Sequence, residues 1–102
     1  MGKLVKVASV SEIPPESGKL VEIEGKRIAV FHVGGRYYAT DDTCPHRGGP
    51  LSEGVLQGDV VTCPWHGSEF NVTTGAVLSP PARSGVTHYA LRESGGELSV
   101  EL

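Results

Sequence analysis

Both cysteines of this 102-residue chain, and two of its four histidines, fall in two short stretches. These are Cys44-Pro45-His46-Arg47-Gly48-Gly49-Pro50 and Cys63-Pro64-Trp65-His66-Gly67-Ser68. Each sets one thiol close to one imidazole, and sixteen residues separate His46 from Cys63. Thiolate plus imidazole is a soft-to-borderline ligand pair, suited to zinc, copper or an iron–sulfur cluster. A lone Cys is usually a small buried hydrophobe. A single Cys-x-His or Cys-x-x-His match is a weak signal. Two matches together, in Gly/Pro-rich loops and using every cysteine, point to the two claws of one metal site.

The rest of the chain must position these claws. Fourteen Gly and seven Pro, with many Val, favour turns and strands over helices. Leu4 to Val10 reads as a first strand, and Ser11-x-x-Pro14 as the start of a brief helical turn. Leu20 to Glu24 alternates apolar and polar residues, as a half-buried strand should. Arg27 to Val33 follows, with Ile28, Val30 and His32 expected on one face. Gly34-Gly35 is a hairpin signal, and Arg36 to Thr40 is the returning strand. Leu51 to Leu56 leads to a turn at Gly58-Asp59, and Val60 to Thr62 is a short strand entering Cys63. Glu69 to Val72 and Ala76 to Leu78 flank a turn at Thr74-Gly75. Val86 to Arg92 and Glu97 to Leu102 form a last hairpin about Gly95-Gly96. The expectation is one all-β domain over 1–102, an antiparallel β base with a loop-rich metal-binding insert at about 43–78.

Cys-x-His, sixteen residues, then Cys-x-x-His resembles the signature of Rieske iron–sulfur proteins. The resemblance extends to Gly49-Pro50-Leu51, Gly67-Ser68-x-Phe70, Thr74-Gly75 and the Pro-rich segment Ser79 to Ala82. It implies a Rieske domain with a nested cluster-binding subdomain and one 2Fe-2S cluster. Cys44 and Cys63 would then hold one iron, and His46 and His66 the other. Two ferric ions, two sulfides and two thiolates sum to zero charge, so reduction is easier than with four thiolates. Rieske potentials run from roughly −150 to +300 mV, against about −400 mV for plant-type ferredoxins. Imidazole ligands with an exposed N–H imply a potential that falls at alkaline pH, as reduction couples to protonation.

Rieske proteins of respiratory and photosynthetic complexes carry an extra cysteine in each claw, and these form a disulfide. Here Gly49 and Trp65 stand at those positions. Those proteins also place a Ser and a Tyr hydroxyl on cluster sulfur. Ser68 matches the Ser, whereas Phe70 replaces the Tyr. A potential low in the Rieske range is therefore expected. Trp65 would either close the subdomain or face a redox partner. Arg47, Glu53, Glu69 and Arg83 are candidates for docking charges, and His32 and His88 are expected to have no ligand role.

A net charge of −3 without a basic patch excludes nucleic acid as an expected partner. No apolar run approaches the roughly 20 residues of a membrane span. With both cysteines committed to metal, a cytoplasmic, soluble monomer is expected. The resemblance implies a ferredoxin, an electron carrier without catalysis of its own, linking a flavin-containing reductase to a terminal oxygenase such as an aromatic-ring dioxygenase. Two alternatives stand beside it. One is the small Rieske subunit of an assimilatory nitrite reductase, bound to its large subunit. The other, of a different class, is an interaction module built on a structural zinc.

Overall fold

The computed structural model describes residues 3–45, 48–65, 67–80 and 82–102, and among them there is no α-helix. The strands are β1 (Leu4–Ser9), β2 (Ser17–Ile23), β3 (Lys26–Val33), β4 (Arg36–Asp41), β5 (Val55–Gln57), β6 (Val60–Thr62), β7 (Glu69–Asn71), β8 (Val77–Ser79), β9 (His88–Tyr89), β10 (Leu91–Ser94) and β11 (Glu97–Glu101). They form three antiparallel sheets, ordered β1-β11-β10, β2-β3-β4-β9 and β5-β6-β7-β8. The expected all-β architecture is observed. β3 and β4 pair across Gly34-Gly35 with Val33 opposite Arg36.

β3 is the wall between two cores. Successive side chains of a strand point to opposite faces, and β3 buries both. Ile28 and Val30 join Ala8, Ile13, Ala39, Leu98 and Val100 in the base. Ala29 and Phe31 join Cys44, Leu51, Val61, Cys63, Phe70 and Val72 on the claw side. The small sheet β5 to β8 thus shares its apolar core with the central strand of the base, and both thiols belong to that core. His32 is only half-buried. Its Nδ1 lies 2.9 Å from the carbonyl of Ile13, and its ring stacks on Tyr37 at 4.3 Å.

Local expectations are corrected at two places, the end of β1 and the segment from Val86 to Arg92. Val10 is not in β1 but opens a 3-10 turn, Val10–Glu12, and the Glu12 carboxylate accepts from the Ser9 N–H. The turn is therefore capped at Ser9 and not at Ser11. Leu51 to Leu56 leads to the turn at Gly58-Asp59, as expected, and holds a 3-10 turn, Leu51–Glu53, and the start of β5, which pairs with β6. The segment from Val86 to Arg92 is not one strand. β9 pairs with β4, whereas β10 pairs with β11. One short run of chain thereby ties the two base sheets together.

Candidate metal centre

The first claw leaves β4 through Asp41 and returns through Pro50, which bridges to Thr43. The Cys44 N–H donates to the Gly49 carbonyl (2.9 Å), and the Gly48 N–H donates to the Cys44 carbonyl (2.8 Å). The second claw joins β6 to β7, with Thr62 opposite Glu69. Here the Cys63 N–H donates to the Ser68 carbonyl (2.8 Å), and the Gly67 N–H donates to the Cys63 carbonyl (3.1 Å). Both are four-residue loops closed by the same pair of bonds. In both, Cys precedes the loop, Pro opens it and Gly ends it. Gly48 and Gly67 share φ +82, a left-handed conformation that strongly favours glycine. The spacing Cys-x-His against Cys-x-x-His hides this repeat, because the histidine shifts by one position while the loop does not.

Cys44 and Cys63 are each 2% exposed and form no disulfide. The claws touch. A β-carbon added to Gly49 would lie 2.6 Å from Cys63 Sγ and 3.0 Å from Trp65 Cγ. The Trp65 ring packs over the Gly49 backbone, yet the residue is 57% exposed, so it does not seal the core. His46, His66, Arg47 and Pro81 lie outside the described residues. The structure thus brings the two predicted thiol ligands into one buried core.

Ser68 is fully buried, and its Oγ accepts from the Ala82 N–H at 2.8 Å. Its own proton is left to donate elsewhere. The Glu69 N–H donates to Ser79 Oγ at 3.1 Å, so the proline segment is tied to the second claw at two points. Phe70 is fully buried in the thiol core. Glu53 and Arg83 are exposed and Glu69 is half-buried, whereas His88 is exposed at the surface.

Two residues that the sequence did not single out anchor the first claw from below. Asp42 is 1% exposed, and its Oδ1 accepts from the Ser52 N–H at 2.7 Å. Its carbonyl accepts from the Leu51 N–H (2.7 Å), and its N–H donates to the Arg27 carbonyl (3.0 Å). Its place two residues before Cys44 was the only signal, and acidic residues there usually read as solvated. Tyr89 donates its hydroxyl to Asp41 Oδ1 at 2.5 Å. Burial, then the hydrogen bond and charge of Asp41, push its pKa up to about 12.

Two buried thiols in one core, on matched loops that meet where Gly49 lies against Cys63 Sγ, suit a soft metal cluster. A 2Fe-2S group therefore fits the residues present.

Comparison with known proteins agrees. Residues 3–90 match the family model of the Rieske [2Fe-2S] domain. The chain is 40% identical over 97 residues to the ferredoxin CarAc of Metapseudomonas resinovorans, covering 94% of this chain and 91% of that protein. It is equally identical, over 97 residues, to the biphenyl dioxygenase ferredoxin subunit of Pseudomonas sp. strain KKS102, covering 94% and 89%. Among solved structures it superposes on a chain of the complex of reduced oxygenase and oxidized ferredoxin in carbazole 1,9a-dioxygenase. That match has a TM-score of 0.90 and 39% identity, covering 96% of this chain and 92% of that one.

Proposed function

Because this chain belongs to the Rieske [2Fe-2S] domain family, we propose that it is a soluble one-electron carrier between a flavin-containing reductase and a terminal oxygenase. An aromatic-ring dioxygenase is the favoured kind of acceptor. The observation that carries this reading is the span of the likeness: the chain covers 91% and 89% of two ferredoxins at 40% identity. The solved complex of an oxygenase with a ferredoxin supports the choice of acceptor.

When bound, the 2Fe-2S cluster supplies one-electron redox chemistry. Cys44 and Cys63 would hold one iron, and His46 and His66 the other. The two claw closures hold the backbone of Cys44 and Cys63 in place before metal arrives, which lowers the ordering cost of binding. Ser68, whose Oγ accepts from the Ala82 N–H, would have its own proton to offer to cluster sulfur. Phe70 offers none, which keeps the potential low within the family. The exposed Trp65 gives a partner an aromatic surface next to the ligands. The chain acts as one domain over 1–102, with the cluster-binding subdomain at about 43–78, as a cytoplasmic monomer that contributes no catalysis of its own.

The test uses the purified protein with its cluster, a flavin reductase and an aromatic-ring dioxygenase. The reductase should reduce the protein by one electron, and the oxygenase should reoxidise it with turnover of its substrate. Reoxidation only by a nitrite reductase large subunit, with stable co-purification, would replace the carrier by a subunit. A colourless, zinc-loaded protein after iron and sulfide supply would overturn both.

A further inference from the structure

Among the described residues, the Asp42 carboxylate is anchored on one side only. Oδ1 accepts from Ser52, but Oδ2 has no hydrogen-bond partner among the described residues. Its ion pair is with Arg27, Nη2 lying 3.9 Å from Oδ2. That guanidinium is half-exposed and makes a shorter 3.0 Å pair with Glu22. A buried carboxylate oxygen without a donor opposes folding. Anchoring Ser52 does not require it, because an asparagine carbonyl would accept the same N–H without a charge. Packing therefore explains the acceptor and leaves the charge unexplained.

We propose that Asp42, incompletely screened by Arg27, is a fixed negative charge that holds down the reduction potential of the centre beside it. The proposal rests on the assignment of the cluster to the two claws. Asp42 lies two residues from Cys44, so at most about 7 Å of chain separates their α-carbons. A nearby negative charge disfavours gain of an electron, and a buried charge is little screened by salt. Asp42 also positions the claw through its hydrogen bonds. The sign of the potential change separates the two roles.

The experiment is a redox titration of the cluster-loaded protein, followed by visible and electron-spin-resonance spectra. Asp42→Asn keeps the acceptor and removes the charge, so the midpoint should move to a more positive potential and stay shifted at high salt. Arg27→Gln removes the screening cation from the surface, so the midpoint should move the other way, by less. Opposite shifts with unchanged spectral shape support the charge role, since simple loosening of the claw does not reverse sign between the two variants. An unchanged or more negative midpoint in Asp42→Asn overturns the proposal, as does an unchanged or more positive one in Arg27→Gln. Should Asp42→Asn fail to retain a cluster, Arg27→Gln decides alone. A native protein that never shows a cluster signal defeats this proposal and the cluster assignment together. Failure of the oxygenase assay alone leaves the potential shifts readable.

Discussion

Gly49 in the first claw lies directly against the sulfur of Cys63 in the second. A β-carbon there would stand 2.6 Å from Sγ, closer than any ordinary contact. The two loops are therefore fitted to each other at a point where one residue can have no side chain. In the disulfide-bearing branch that this family resembles, the matching position holds a cysteine. Here Trp65 packs over the glycine instead, with its Cβ 3.2 Å from the added carbon. The claws are joined by contact and not by a covalent bridge.

Gly49→Ala should spread the claws. Overpacking of a tight site typically costs about 1–3 kcal/mol, and here the strain falls on a proposed ligand. The variant should fold but hold less iron and sulfide per chain, and lose them faster to a chelator. Metal analysis and the decay of visible absorbance check this.

Ser68→Ala removes the acceptor for the Ala82 N–H. Leaving a buried donor unpaired costs about 1–3 kcal/mol, so the denaturant midpoint should fall. If the Ser68 proton also reaches cluster sulfur, the potential drops in the same variant. Phe70→Tyr makes the reverse change at a fully buried position. A hydrogen bond to a charged group is worth about 1.5–3 kcal/mol, which for one electron is about 60–130 mV. The potential should rise by that order, as measured by redox titration.

Trp65→Ala should leave the fold nearly intact, because the side chain is largely exposed. Its effect is expected in partner binding, where Trp is a frequent anchor. The KM of the oxygenase for the carrier should rise about tenfold, with kcat and the cluster spectrum unchanged. Steady-state assays with varied carrier concentration test this.

Tyr89 gives an alkaline limit to stability. Its hydroxyl is held protonated by burial and by Asp41, with the pKa raised from 10.0 to about 12. A folded-state pKa above the unfolded one means the contribution is fully present below the unfolded value. It is lost as pH rises through the folded value. The denaturant midpoint should therefore decline between about pH 10 and pH 12. Tyr89→Phe should lack that component of the decline, while being less stable at neutral pH through loss of the bond that ties β9 to Asp41.

The sequence alone determined the features that depend on neighbours along the chain. Two Cys/His stretches in Gly/Pro-rich loops announced a metal centre, and alternation with paired glycines announced the strands and the β3–β4 hairpin. Tertiary structure decided what depends on distant segments meeting. Burial of both faces of β3, the division of the last strands at Ala90, and the meeting of Gly49 with Cys63 arise only once sheets pack. The same holds for Asp42, whose acidic side chain looks solvated until Leu51, Ser52 and Arg27 close around it. Local spacing fixes which conformations a segment can adopt. Which groups lose water, and against what, is set by contacts between residues far apart in the chain.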